Sequence, residues 1–198
     1  MTRWTVIIPV KPAAIGKSRL GLGPEVARGI ALDTNAAVLR CDAVDRVIVV
    51  TSDRAFRPPG ADVLLESAPT GIDAAVAAGA ALAGIDVPRA ALLGDLPTLV
   101  PGELSAALSL AARSIRSFVA DHEGTGTTLV AATPGVELVT AFGTDSAARH
   151  RAMGLEELEL PAASSVRLDV DTPEQFARAL RRREESPPAR VPRPRSRR

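Results

Sequence analysis

Aromatic residues are scarce in this 198-residue chain: they make up 3% of it, and tyrosine is absent. A platform that stacks unpaired bases needs aromatic faces, so the composition argues against single-stranded nucleic-acid binding. It also requires an aliphatic, alanine-rich core, because hydrophobic residues still reach 46%. Cysteine is nearly missing too. The single Cys41 has no partner for an internal disulfide and no cysteine cluster for a metal, and a buried thiol near a helix end is expected. No stretch approaches the about 18 uninterrupted apolar residues that span a bilayer. Met1-Thr2-Arg3-Trp4 runs straight into Val6-Ile7-Ile8, without the charged segment, long apolar stretch and cleavage site of a secretion signal. The expectation is a cytoplasmic protein with no membrane partner.

Charge of one sign is lacking overall, at a formal net +1, but it is unevenly spread. Residues 181–198 hold eight arginines against two glutamates, a net +6, which leaves −5 for the rest of the chain. The body is mildly acidic and carries a basic terminus, so the whole-chain balance is no sign of a nucleic-acid-binding domain. The proline and arginine mixture after about residue 183 offers little to bury. The expected organisation is one domain over 1–183 and a disordered Pro/Arg-rich tail over 184–198. A domain of this length buries a substantial core.

Apolar runs alternating with helical patterns suggest an α/β fold with a mostly parallel mixed sheet flanked by helices. Strands are expected at Thr5–Val10, Val47–Thr51, Asp62–Leu65, Ala90–Leu93, Phe118–Ala120, Thr128–Ala132, Glu157–Leu160 and Val166–Val170. Helices are expected at Pro24–Arg40, Ala74–Ala83, Pro101–Ala112 and Ser146–Met153. Another should begin at Thr172-Pro173-Glu174-Gln175, where Thr as N-cap, Pro at the first helical position and Gln three residues on form a capping box.

Two acidic clusters close apolar runs: Gly94-Asp95-Leu96-Pro97 and Asp169-Val170-Asp171-Thr172-Pro173. Carboxylates just past buried strands stand at the rim where α/β folds bind ligands. Brought together, Asp95, Asp169 and Asp171 can hold a hard divalent cation such as Mg2+, which prefers oxygen and shares itself with substrate phosphates. A turn or capping aspartate is the competing reading of Asp95, and the metal reading gains when Asp169 and Asp171 are added. If a strand runs through Asp169 and Asp171, both face the same side. Lys11, Lys17 and Arg19 lie near the first strand. Gly16-Lys17-Ser18 is not a Walker A loop, but its flexible backbone and cations can wrap phosphates and offset charge on a leaving pyrophosphate; ordinary surface charge is the competing reading. Gly124-Thr125-Gly126-Thr127-Thr128 reads either as an anion nest or as a hairpin turn. Ser146 opens a short helix that can present N–H groups to an anion, and Arg149 adds a fork of donors. His150 and His122 are each open to a substrate-contacting or a packed reading.

In their order along the chain, these motifs resemble the small guanylyltransferases that activate phosphoenolpyruvate or 2-phospho-L-lactate in coenzyme F-420 biosynthesis. They are more distantly similar to the molybdenum-cofactor guanylyltransferases and other nucleotidyltransferases with a Rossmann-like fold. The resemblance spans residues 3–180 and rests on Pro9-Val10-Lys11, Lys17-Ser18-Arg19-Leu20, Gly94-Asp95-Leu96-Pro97, Gly124-Thr125-Gly126-Thr127-Thr128, Phe142-Gly143, Ser146, Arg149-His150 and Asp169-Val170-Asp171-Thr172-Pro173. It implies transfer of GMP from GTP to the phosphate of a small phosphorylated carboxylic acid, with release of pyrophosphate and with Mg2+ as cofactor. Lys17, Asp95 and Asp171 then fall in catalytic roles. Asp95, Asp169 and Asp171 match metal ligands; Lys11, Lys17, Arg19, Gly71 and Asp73 fall on the nucleotide side; Thr127, Ser146, Arg149 and His150 fall on the acceptor side. One departure stands out. After Pro69-Thr70-Gly71 the family has Leu-Asn, and this chain has Ile72-Asp73. An ionised Asp only accepts hydrogen bonds, so Asp73 either accepts from the guanine edge or caps a helix in an altered pocket.

Such a substrate brings its own anionic nucleophile, so no protein base is required, and positioning and charge neutralisation can carry the reaction. That agrees with the lack of any Ser-His-Asp or Cys-His constellation. The alternatives are a related transferase acting on molybdopterin, a phosphosugar or phosphoglycerate, a non-enzymatic nucleotide-binding protein, and a nucleic-acid-binding module supported only by the arginine tail.

Overall fold

The computed structural model of the protein describes residues 2–11, 23–67, 70–170, 172, 175–177 and 181. Seven strands form one sheet. In chain order they are β1 (Trp4–Val10), β2 (Val44–Thr51), β3 (Asp62–Leu65), β4 (Arg89–Leu92), β5 (Arg116–Ala120), β6 (Thr127–Ala132) and β7 (Glu156–Glu157). The spatial order is β3-β2-β1-β4-β6-β5-β7. β3, β2, β1 and β4 run parallel, and β6 is antiparallel to both β4 and β5. The long apolar runs of β1 and β2 suit strands covered on both faces.

Among the described residues four α-helices are bounded, α1 (Pro24–Leu39), α2 (Ile72–Ala83), α3 (Pro101–Ala111) and α4 (Ser146–Ala152), and residues 175–177 are also helical. Strand alternation divides the core between the two faces. Trp4, Val6 and Ile8 of β1 pack with Val38 of α1 and Leu104 and Leu108 of α3. Ile7 points the other way, to Val76 of α2 and Ala147 of α4. The result is an α/β three-layer domain. None of the described helices is long and apolar enough to cross a membrane.

Several expectations change at the chain's second half. Only Glu156–Glu157 pairs with β5, and the chain then leaves the sheet before Pro161. Val166–Val170 is not a strand. Ser165–Arg167 forms a 3-10 turn, because Ser164 and Ser165 anchor on the Glu103 carboxylate of α3 and bend the backbone there. The capping box at Thr172 is present: the Thr172 N–H donates to Gln175 Oε1 at 2.9 Å, and the Gln175 N–H donates to Thr172 Oγ1 at 3.2 Å. Cys41 is buried just beyond α1, where loss of hydration pushes its thiol pKa up.

Candidate active site

The site is set by where the parallel strands end. β1 and β4 are neighbours whose following helices, α1 and α3, pack on one face, while α2, between them in sequence, covers the other. The chain exits β1 at Lys11, which is exposed, and exits β4 at Leu93-Gly94-Asp95. Antiparallel β6 starts at the same edge, with Leu92 opposite Leu129 and the Leu93 N–H bonded to the Thr128 carbonyl. Lys11, Asp95 and Thr127 thus share the carboxyl edge of the sheet, the usual ligand edge of open α/β folds. Gly71, at the start of α2, follows β3 to this edge too. Its φ of 124° is one that side chains rarely adopt.

Asp95 is half-buried and held from two directions. On one side, the Leu96 N–H donates to Thr34 Oγ1 of α1 at 3.1 Å, and the same hydroxyl donates to the Ile30 carbonyl at 3.0 Å. On the other, the Val170 N–H donates to the Asp95 carbonyl at 3.1 Å. This main-chain bond joins the two acidic clusters across 75 residues of sequence. Gly94 lets the β4 exit lie close on β1: a Cβ there would sit 3.3 Å from Ile8 Cγ2 and Val10 Cγ2.

The second cluster is positioned by groups the motif reading passed over. Glu103 Oε2 accepts from Ser164 Oγ, the Ser165 N–H and Ser165 Oγ, while the Val100 N–H donates to Ser165 Oγ at 2.9 Å. Arg167 donates from Nε and Nη2 to the Asp121 carbonyl. Asp169 follows at once, with Oδ1 at 4.0 Å from His122 Nδ1. Thr34 could have been found in the sequence, since it stands with Ile30 and Val38 on the buried stripe of α1. Glu103 left no such signal. Lys17, Arg19 and Asp171 lie outside the described residues. Among the described residues no group of three His, Cys, Asp or Glu side chains could hold a metal ion. Asp95 and Asp169 supply oxygen donors on joined segments, the donor type a hard divalent cation takes.

The residues that the resemblance puts on the acceptor side make these contacts. The nest at Gly124–Thr128 is filled by the chain's own carboxylate: Asp121 accepts from the Thr125 N–H at 3.0 Å and the Gly126 N–H at 2.8 Å, closing the β5–β6 hairpin. The first N–H groups of α4 do not face an anion, because those of Ser146 and Ala147 donate to the Gly143 and Thr125 carbonyls. Ser146 itself is buried. Arg149 is exposed and its Nη2 donates to the Phe142 and Thr144 carbonyls, bracing that loop. His150 is fully buried between Phe118 and Phe142, with Nδ1 at 2.9 Å from Thr127 Oγ1 and Nε2 accepting from the Ala141 N–H at 2.9 Å. With both ring nitrogens engaged by protein, it stands behind the site and not in it. Burial pushes its pKa down, aided by Arg149 and opposed by Asp73. Asp73 makes no helix-capping bond; its Oδ1 accepts from Thr140 Oγ1 at 2.7 Å and the Phe142 N–H at 2.9 Å. Oδ1 of Asp73 is thus engaged by the 140–142 loop.

The fold is that of a nucleotidyltransferase-type α/β domain. A nucleotidyltransferase from Methanothermobacter thermautotrophicus superposes with a TM-score of 0.63 over 92% of this chain and 100% of its own, at 19% identity. A Mycobacterium tuberculosis H37Rv protein solved in complex with manganese gives 0.59, covering 91% and 98%, at 21% identity. No family model matches the chain. Its sequence is 47% identical over 191 residues to a phosphoenolpyruvate guanylyltransferase of Streptomyces coelicolor, covering 90% of each chain. It is 46% identical over 189 residues to one of Thermomonospora curvata, covering 89% of this chain and 83% of that one. The chain belongs to the phosphoenolpyruvate guanylyltransferase family and is an enzyme of the guanylyltransferase class.

Proposed function

We propose that this enzyme transfers GMP from GTP to the phosphate of phosphoenolpyruvate, as a step of coenzyme F-420 biosynthesis. The observation that carries the reading is the Val170 N–H to Asp95 carbonyl bond at 3.1 Å, which draws both acidic segments to the ligand edge beside the β1 exit. A phosphate oxygen of the acceptor attacks the α-phosphorus of GTP. The new P–O bond forms as the bond to the bridging α–β oxygen breaks, and pyrophosphate leaves with its charge. Lys11, Lys17 and Arg19 neutralise the triphosphate, and the turn at Gly71 and Asp73 borders the nucleotide. Thr127 and Arg149 face the acceptor, supported from behind by Ser146 and His150.

Asp95, Asp169 and Asp171 would hold a divalent cation, Mg2+ in this reading; the manganese bound to the mycobacterial structural relative is in keeping with such a site. When bound, the cation supplies charge neutralisation at the phosphates. The acceptor wall need only sense the planar enol of phosphoenolpyruvate against the tetrahedral carbon of 2-phospho-L-lactate, a discrimination of about 1–3 kcal/mol. The test is competition: GTP and Mg2+ with both acceptors at equal concentration, the products resolved by mass. Guanylylated phosphoenolpyruvate should predominate. A lactyl product would change the acceptor and keep the class, and a pterin or phosphosugar product alone would overturn the assignment.

A further inference from the structure

Thr127 reaches the α4 face only through an irregularity in β6. On β5, Phe118 and Ala120 point to the α2–α4 side of the sheet. Phe118 pairs with Val130, and Val119 with Leu129, but Ala120 pairs with Thr127, so Thr128 is the extra residue of a bulge. Without it, alternation would turn Thr127 to the opposite face. With it, the hydroxyl meets His150.

The direction of the bond between them follows from its other end. The Ala141 N–H can only donate, so His150 Nε2 is the acceptor and carries no proton. In the neutral ring the proton is then on Nδ1, which donates to Thr127 Oγ1. The hydroxyl's own proton must go elsewhere, and among the described residues Thr127 Oγ1 has no partner besides His150. Loop 140–142, which supplies the Ala141 N–H, is held in turn by Asp73 from α2.

We propose that His150 is a positioning residue: held in the Nδ1–H tautomer by the Ala141 N–H, its ring makes Thr127 an outward hydrogen-bond donor to an anionic group of the acceptor. This rests on the reading that the acceptor lies against Thr127. His150 never touches the substrate. It sets which way a buried hydroxyl donates, and Asp73 links that setting to the nucleotide end of the site. The charged groups around the ring are Asp73 on α2 and Arg149 on α4; Phe118 of β5 and Phe142 pack against it, and the Ser146 carbonyl is a second acceptor for a ring N–H, in keeping with a proton on Nδ1. Protonating the ring would place an Nε2–H against the Ala141 N–H, breaking the relay at its loop end.

Two substitutions separate the ring's roles. His150→Asn keeps a donor near Nδ1, and His150→Gln keeps an acceptor near Nε2 but loses the donor to Thr127. His150→Gln should raise KM for phosphoenolpyruvate roughly tenfold, the scale of one lost oriented hydrogen bond, with KM for GTP changed less than about twofold. His150→Asn should recover most of that loss. Combined with Thr127→Val, His150→Gln should add nothing further. Nitrogen-15 NMR of the wild-type enzyme, which does not depend on any variant folding, should show the Nδ1–H tautomer. An Nε2–H tautomer, additive effects in the double variant, or equal losses in KM for both substrates would overturn the proposal. Wild-type turnover of the acceptors reports separately on the function itself: an enzyme that guanylylates none of them refutes that reading, while the tautomer still reports on the relay.

Discussion

At the residue scale, the side chains that matter most here are polar groups held by other polar groups. Asp95 sits at the β4 exit with its backbone clasped by Thr34 and Val170. Asn at this position keeps the side chain's shape and removes its charge. Asp95→Asn should lower turnover by about a hundredfold or more while melting temperature stays near that of the wild type, checked by steady-state kinetics beside a thermal melt. His150 gives a stability prediction with a definite sign. Its folded pKa is depressed, so the unfolded chain binds the proton more readily. The contribution of the neutral ring is complete above the unfolded value of about 6.5 and is lost as pH falls from there toward the folded value. Unfolding free energies from urea titrations between pH 7.5 and 5 should decline with a slope of up to about 1.4 kcal/mol per pH unit from this group. In His150→Phe that part of the slope should vanish; an unchanged slope would assign the acid sensitivity to other groups.

At the scale of elements, α2 lies unusually close to the sheet because its inward face is built from alanine and glycine. A Cβ at Gly79 would come within 2.5 Å of Ile7 Cγ2 and 3.1 Å of Val50 Cγ2, both on fully buried side chains. Gly79→Ala gains about 1 kcal/mol of helix propensity. The overpacking it forces costs about 1–3 kcal/mol, because both neighbours are fully buried in a close-packed core. The expected net effect is a lower urea midpoint and a displaced α2, which carries Asp73. A stabilised variant would show that the helix can lift off without cost. The clasp of Glu103 on Ser164 and Ser165 works at the same scale, since it converts an apolar run with strand propensity into a turn and so delivers Val170 to Asp95.

For the whole molecule, charge is divided between an acidic body and the basic residues 181–198. Pro187, Pro188, Pro192 and Pro194 interrupt that segment and leave little to bury. Truncation after Arg183 should leave transfer activity unchanged and shift the melting temperature by less than about 2 °C, an amount under about 1 kcal/mol for a chain of this size. A larger drop would show that the tail docks on the domain. Weaker retention on an RNA column after truncation, with activity intact, would assign the tail a contact separate from catalysis.

Much of this protein could be read from local pattern. Runs of β-branched residues marked β1 and β2, Pro24 and Pro101 marked helix starts, and Thr172 with Gln175 marked a capping box. Each of these depends on neighbours a few residues away, and short-range sterics and hydrogen bonding settle them. The rim position of Asp95 was legible for the same reason, as a carboxylate after a buried strand. What the sequence could not settle were competitions between distant groups. Val166–Val170 has the composition of a strand, but Glu103, about sixty residues earlier, captures the serines before it. Gly124–Thr128 has the composition of an anion nest, but Asp121 reaches it first. His150 follows Arg149 in a motif that resembles a substrate grip, yet the helix turns it inward to Thr127 and Ala141. In each case a buried polar group must find a partner, and which partner is near enough is decided only when the chain has closed on itself.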